Sequence, residues 1–241
     1  MTDAHVTDAP GPRVSLNEAA YRRLREDIIA CRLGPSQRLT EKQLAADLGF
    51  SIAPLRDALT RLDHEGLIRT LPRKGYQVTP LTPKSIDDLF TVWQIVGPEL
   101  IRLGIRHATG EQIAAAEANF AELDRHAGED GVGSVVRDIE VVNGTFAILA
   151  EATGNAYLVN LYQRLMGDMG RIRVLLLTSD PVTTTPAPAE HWVRRILAED
   201  DPDEAAAHAR RYIEDVHRRV LAAVARWPSV MSSEVVVPAN P

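Results

Sequence analysis

Cysteine is nearly absent from this chain, which has a single cysteine, Cys31, among 241 residues. One cysteine cannot form an intrachain disulfide framework or a cysteine zinc cluster. The sequence also lacks an apolar run long enough for a signal peptide or a membrane helix. We therefore expect a reduced, cytoplasmic protein that has no membrane partner.

Charge is distributed unevenly along the chain, whose formal net charge is −6. Lysine and arginine outnumber aspartate and glutamate in residues 13–80, whereas acidic residues are in excess in residues 81–241. This polarity is typical of a nucleic-acid-binding module joined to a module that does not bind nucleic acid.

A short helix is predicted to start after Thr40, whose hydroxyl can accept from the Gln43 backbone N–H while the Gln43 side chain reaches back. Gly49 suits the left-handed conformation that ends a helix, and Ser51 is an N-cap residue two positions later. Pro54 falls in the first turn of the second helix, where a missing N–H costs little. The pattern indicates two helices joined by a very short turn.

The second helix has one apolar and one outward face. Four side chains at helical spacing are expected to face a core, namely Leu55, Ala58, Leu59 and Leu62. The outward face, predicted to read DNA, carries Ile52, Ala53, Arg56 and Thr60. Two short strands are predicted at 67–71 and 76–79, around a basic tip formed by Pro72-Arg73-Lys74-Gly75. We expect this wing to touch phosphate.

The rest of the chain is predicted to be helical. Approximate spans are 83–107, with a kink at Gly97-Pro98, then 110–127, 132–152, 156–177, 189–199 and 202–227. We therefore expect a mainly α protein, with a winged helix-turn-helix in residues 16–80 and an antiparallel all-helical bundle in residues 83–228. Residues 1–15 and 229–241 lack apolar periodicity and are predicted to be disordered tails.

The first domain resembles the GntR family of bacterial transcriptional regulators. The matching residues are Glu41, Leu44-Ala45, Leu48-Gly49-Phe50-Ser51, Pro54-Leu55-Arg56-Asp57-Ala58-Leu59, Arg61-Leu62-Asp63, Glu65-Gly66-Leu67 and Arg73-Lys74-Gly75. The resemblance implies DNA contacts by Lys42, Ser51, Ile52, Ala53, Arg56, Lys74 and Gly75, to which the basic wing adds Arg73. The family usually has arginine at Ile52 and a polar residue at Ala53. We therefore expect different base readout, with these two side chains meeting a thymine methyl.

The second domain contains three characteristic segments, namely Ala150-Glu151-Ala152-Thr153-Gly154-Asn155, Glu190-His191, and Asp201-Pro202 through Arg210-Arg211-Tyr212-Ile213. In these segments it resembles the FCD ligand-binding bundle of the FadR subfamily. Such domains commonly bind a divalent metal through one Asp and three His, and the metal holds a carboxylate effector. Here the resemblance places Val142, Phe146 and Tyr212 at three of these ligand positions, so only His191 remains. One imidazole does not hold a transition metal well.

The resemblance also places Trp93 where family members often have an arginine, which makes the expected pocket more apolar. We expect Trp93, Phe146, Tyr212 and the Met166/Met169 pair to line a site for an apolar or acyl effector. Its polar end would meet Arg171, Arg173 or His191, and at most one of the two arginines points inward because they lie on different helix faces. Ordinary core packing is the alternative for each apolar residue. A second alternative is a carboxylate sensor whose shifted metal site uses Asn143, His191 and His208, with Glu140 or His217 nearby.

We expect a repressor, not an enzyme, that binds an inverted-repeat operator in double-stranded DNA as a homodimer and responds to a small-molecule effector. The dimer follows from the resemblance and from the two readers that two half-sites demand. No catalytic residue and no cofactor are predicted. One alternative is a catalytic bundle using His191 with Glu190 or Asp201, although no nucleophile-plus-base motif surrounds them. Another is a first domain that binds protein instead of DNA.

Overall fold

In the computed structural model, the described backbone comprises residues 15–125, 132–179 and 189–225. The predicted tails lie outside these ranges except for Ser15, which is the N-cap residue of α1. The side chains of 120, 122–125, 132–139, 177–179 and 189–192 are likewise outside the description. The described elements are α1 (Leu16–Ile29), β1 (Arg38–Leu39), α2 (Glu41–Leu48), α3 (Ile52–His64), β2 (Ile68–Leu71), β3 (Gly75–Val78), α4 (Pro83–His107), α5 (Gly110–Arg125), α6 (Val132–Ala152), α7 (Ala156–Ser179), α8 (Ala189–Leu197) and α9 (Pro202–Val224).

Local capping explains how α2 and α3 begin and end. The Thr40 hydroxyl accepts from the Gln43 N–H at 3.2 Å, and Gly49 closes α2 with a φ of 73°. The predicted return bond from the Gln43 side chain is not formed in the described structure. Ser51 has the extended backbone of an N-cap residue but makes no side-chain cap bond. The helix-turn-helix and the N-cap position of Ser51 are therefore confirmed, while the predicted return bond from Gln43 is wrong.

The wing is part of a three-stranded antiparallel sheet with the order β1-β3-β2. In the β2–β3 ladder Ile68 pairs with Val78, and in the β1–β3 ladder Leu39 pairs with Tyr76. Strand β1 was not predicted, because two residues are too few to show alternation. Adding β1 ties the wing to the chain segment that enters α2.

The bundle begins at a full capping box, in which the Thr82 hydroxyl accepts from the Ser85 N–H and the Ser85 hydroxyl accepts from the Thr82 N–H. From there α4 continues as one helix through Pro98 and packs along α9. The bounds of α4 and α6 match the prediction, whereas α7 runs two residues further and α9 ends at Val224. The fold is thus a winged helix-turn-helix followed by a helical bundle. No helix in the described ranges is long and apolar enough to cross a bilayer.

Each part of the fold has its own hydrophobic core. One core joins α1, α2, α3 and the sheet, and its fully buried members include Leu24, Leu55 and Leu59. The other lies among the bundle helices and also takes in Cys31, which follows α1. A short segment after α1 therefore belongs by packing to the bundle.

Candidate DNA-reading surface and effector site

The outward face of α3 is exposed, as the helical spacing predicted. Leu55, Ala58, Leu59 and Leu62 are fully buried. Ser51, Ile52, Ala53, Arg56 and Thr60 are exposed, and Ile52 keeps 38% of its surface accessible. Lys42 on α2 and the wing residues Arg73 and Lys74 are exposed as well. The structure therefore leaves all of the predicted contact side chains accessible to a ligand.

Arg56 is held by a carboxylate from the neighbouring helix. Its Nε and Nη2 donate to the two carboxylate oxygens of Glu41 at 2.9 and 2.8 Å, and the Tyr76 hydroxyl donates to Glu41 at 3.2 Å. Hydrogen bonding to Arg56 lowers the pKa of Glu41, so this carboxylate is ionised at neutral pH. The Arg56 side chain remains 64% exposed. The contact therefore holds the Arg56 guanidinium in place between α2, α3 and the wing while leaving it accessible to a ligand.

The tip of the wing is a tight turn in which the Lys74 N–H donates to the Leu71 carbonyl at 2.9 Å. Arg73 lies in the left-handed region with a φ of 62°. Gly75 also has a positive φ, 81°, and an added Cβ would lie 2.5 Å from the Leu39 carbonyl oxygen. Gly75 is therefore required by the fold of the wing, which gives this predicted contact residue a structural role.

Four aromatic side chains from α4, α6, α7 and α9 meet inside the bundle. The ring centroids of Trp93 lie 6.2 Å from Phe146 and 5.9 Å from Tyr162, and Phe146 lies 6.1 Å from Tyr212. Trp93, Phe146 and Tyr162 are almost fully buried, whereas Tyr212 keeps some accessible surface. The structure thus brings together three of the predicted effector residues.

Polar groups from α6 and α7 border this aromatic cluster. With its amide oxygen facing α7, Asn143 accepts from Nη2 and Nη1 of Arg173 at 2.9 and 3.2 Å. The Tyr162 hydroxyl donates to the Asn143 backbone carbonyl at 2.7 Å. Burial lowers the pKa of Arg173 and raises that of Tyr212 to about 12, which keeps the phenol neutral at neutral pH. Arg173 carries a charge because a guanidinium is not deprotonated in proteins. Arg173 is therefore the arginine of this pair that borders the aromatic cluster. Arg171 is buried as well, so the prediction that at most one of the two arginines points inward is wrong.

Arg171 lies elsewhere, which corrects its predicted place in the effector site. Its guanidinium is fully buried, donates to the Thr79 backbone carbonyl and pairs with Asp168 at 3.0 Å. Thr79 directly follows β3, in the segment that connects the wing to the bundle. Arg171 therefore holds the connection between the two domains.

Close packing of α7 against α1 accompanies that contact. An added Cβ at Gly170 would lie 3.0 Å from Ile29 Cγ2, and one at Gly167 would lie 3.5 Å from Arg25 Nη2. The Cys31 thiol lies 3.7 Å from the Arg171 backbone carbonyl. The missing side chain at Gly170 therefore lets α7 approach α1 closely, whereas a Cβ at Gly167 would make only ordinary contact.

The donors do not fit the metal site that the FCD resemblance suggests. Val142 and Phe146 offer no ligand atom, and His208 is engaged with Glu199, whose carboxylate lies 3.4 Å from Nε2. Asn143 contacts Arg173, a cation, which opposes metal binding at the same place. Within the described ranges no three His, Cys, Asp or Glu side chains are grouped to hold a metal. The His191 side chain, and hence the predicted roles of His191, lies outside the described residues.

Both domains match known families. Residues 16–78 match the bacterial regulatory proteins of the gntR family, and residues 88–215, more than half of the chain, match the FCD domain. This chain belongs to the gntR family and carries an FCD domain. It is a DNA-binding regulator of transcription and not an enzyme.

Two similar proteins and two solved structures illustrate this membership. The uncharacterized regulator YdhC of Bacillus subtilis (strain 168) is 26% identical over 163 residues, 66% of this chain and 70% of that protein. The repressor GlaR of Escherichia coli (strain K12) is 27% identical over 159 residues, 65% of this chain and 72% of that protein. The fold is shared with E. coli McbR/YncC, with TM-score 0.71, 20% identity and coverage of 89% of this chain and 99% of that one. It is also shared with a putative GntR regulator from Rhodococcus sp. RHA1, with TM-score 0.66, 20% identity and coverage of 86% and 98%.

Two contacts at the candidate sites of this gntR-family regulator were not predicted from the sequence. Tyr162 precedes Arg173 by eleven residues, about three helical turns, which places both on one face of α7. This spacing was the available signal that Tyr162 and Arg173 share one face of α7, whereas Arg171 lies on another face. The contact between Glu41 and Arg56 joins positions fifteen residues apart on two helices, so helical spacing gave no signal for it.

Proposed function

We propose that this regulator is a homodimeric repressor whose two winged helices bind an inverted-repeat operator in double-stranded DNA. Repression is supported by the relative GlaR, which is named a transcriptional repressor. Dimerisation is supported by symmetry, because one chain supplies one reader while an inverted repeat presents two half-sites.

The exposed face of α3 beside the basic wing is the observation that carries this proposal. We assign base readout to Ile52 and Ala53, whose apolar side chains suit the methyl group of thymine. Lys42, Ser51 and Arg56 hold the register on phosphates, and Arg73 and Lys74 do so from the wing. The bond between Arg56 and Glu41 supports a phosphate role, because a guanidinium already held in place loses little freedom when it binds.

The aromatic cluster of the bundle is the place we assign to a small-molecule effector. Trp93, Phe146 and Tyr212 come from three helices, so a ligand among them would bridge elements that are distant in sequence. Apolar rings with a few polar groups at their border are typical of small-molecule sites. An effector here shifts the relative stability of two arrangements of the helices.

Helix α7 supplies the connection from that site to DNA. Tyr162 and Arg173 face the aromatic cluster, whereas Arg171 binds the chain segment that follows the wing. A small displacement of α7 on effector binding therefore moves the winged helix-turn-helix of residues 16–80, the reader domain. This movement changes the separation of the two reader domains in a dimer. The coupling free energy in such systems is commonly about 1–3 kcal/mol.

The test of this function uses the full chain. An operator is first selected from a random duplex library, and light scattering then measures the mass of the protein alone and on that operator. We expect a dimer on one inverted repeat, with affinity that falls steeply as salt rises. Arg56→Ala should weaken binding to every sequence, while Arg106→Ala, at an exposed arginine of the bundle, serves as the control. A monomer on DNA, or salt-insensitive binding without sequence preference, would contradict the proposal.

A further inference from the structure

The bundle carries a fixed cation beside the position where the family places its metal ligands. We propose that Arg173 binds the carboxylate of an organic monoanion directly, without a metal ion, while the aromatic cluster holds the apolar body of that ligand. This inference rests on the proposed effector role of the bundle and names its ligand class.

The geometry places charge and apolar surface on one site. Arg173 approaches the Asn143 amide on α6, one residue from Val142, a position where the family has its metal-binding Asp. Phe146 lies one turn further along α6 and forms the centre of the aromatic cluster. A ligand with its carboxylate on the guanidinium therefore has ring faces within reach for its body.

The charge balance of the site calls for an anion. Among the described side chains near the Arg173 guanidinium are an amide and two phenols, from Asn143, Tyr162 and Tyr212, and burial keeps both phenols neutral at pH 7. The carboxylate that acts on Arg173 belongs to Glu140, which is exposed to solvent. Among the described side chains none forms an ion pair with Arg173. A partly buried guanidinium with neutral partners gains most from a ligand that brings its own negative charge.

The same balance limits the charge of the ligand. Two described cations act on members of the aromatic cluster, Arg173 and Arg219, and Arg219 is already paired with Asp215 at 2.6 Å. Arg173 is therefore the cation left for a ligand among the described side chains. A second carboxylate would enter an apolar environment unpaired, which is strongly unfavourable. We therefore infer a monocarboxylate and not a di- or tricarboxylate.

The test compares three probes of similar shape with different charge, namely phenylacetate, 2-phenylethanol and phenethylamine. Calorimetry and thermal unfolding are measured on the full chain in EDTA, after metal analysis of the same sample. We expect phenylacetate to bind and to raise the melting temperature, while the neutral and cationic probes bind at least about tenfold more weakly. Phenylmalonate, the dianionic analogue, should also bind more weakly than phenylacetate.

Variants of Arg173 distinguish the effect of its positive charge from the effect of the shape of its side chain. Arg173→Gln should abolish the preference for phenylacetate, Arg173→Lys should retain part of it, and Arg106→Gln, at an exposed arginine of the bundle, should leave it unchanged. Operator binding by the Arg173 variants shows that they are folded, and it tests the proposed DNA function independently. Equal binding of the three probes, no binding of phenylacetate, or binding that requires added divalent metal would overturn the assignment.

Discussion

The reader domain and the bundle differ in how many of the residues expected at their functional sites they retain. The reader retains its capping residues, its turn glycines and a cation held at Arg56, and only two positions on its exposed face have changed type. The bundle keeps its helices although Val142 and Phe146 stand where metal ligands are expected. A fold can therefore persist while the chemistry of its site is replaced.

Arginine shows the same difference in physical terms. Arg56 makes its contact with Glu41 at the surface, where a salt bridge contributes little stability and the cation remains available. Arg171 and Arg173 are enclosed by the protein, where a guanidinium must be satisfied by hydrogen bonds or by an anion. Exposed arginines of the reader are therefore suited to binding DNA, whereas those of the bundle determine packing and ligand charge.

The largest effect should come from the wing. Gly75→Ala places a side chain in a left-handed conformation and against the Leu39 carbonyl, so we expect a loss of about 2–4 kcal/mol in unfolding free energy. Gly49→Ala is the matched control, because its φ is also positive but an added Cβ meets nothing within 4 Å. It should cost about 1 kcal/mol. Equal losses in chemical denaturation would show that the close approach to β1 is unimportant.

The next effect should come from the domain connection. Arg171→Met leaves the Thr79 carbonyl and Asp168 without their partner, so we expect a loss of about 2–3 kcal/mol in stability. The variant should still bind the operator, but its affinity should respond less to effector. Gln163→Ala, on an exposed position of α7, is the control for a general effect on that helix. An unchanged effector response in Arg171→Met would remove this residue from the proposed route.

A smaller effect is expected on base recognition. Ile52→Arg restores the family residue at an exposed position and should shift operator preference toward guanine by about 1–3 kcal/mol. Its melting temperature should stay close to that of the parent, since the side chain does not pack in the core. Selection of operators from a random library measures the preference. The same preference together with a lower melting temperature would refute the placement of Ile52 on the reading face.

The smallest effect is expected at the wing tip. Arg73→Gly relieves a left-handed arginine, so stability should rise by about 0.5–1 kcal/mol while DNA affinity falls uniformly across sequences. Lys74→Ala removes a neighbouring charge without relieving that conformation, so it should weaken binding with no gain in stability. Undiminished operator affinity in Arg73→Gly would show that Arg73 does not touch phosphate.

How far the sequence predicted the structure depended on the range of the interactions involved. The start of α2 at Thr40 and the burial of Leu55 and Leu59 follow from neighbours within a few residues, and both were predicted. The place of Arg171 depends on Thr79, a residue ninety-two positions away in another domain. Helical spacing showed that Arg171 and Arg173 face differently, but only tertiary packing decides which face is turned toward the ligand. The same applies to the aromatic cluster, whose members come from four helices.

The two arginines of α7 also constrain how this chain can change during evolution. Residues two apart on a helix are separated by about 200° around its axis, so Arg171 and Arg173 occupy nearly opposite sides. Deleting one residue between Tyr162 and Arg171 would rotate both arginines by about 100°, which removes the ligand contact and the domain contact in one step. We therefore expect the length of this helical segment to be conserved among close relatives more strictly than the identity of its exposed side chains.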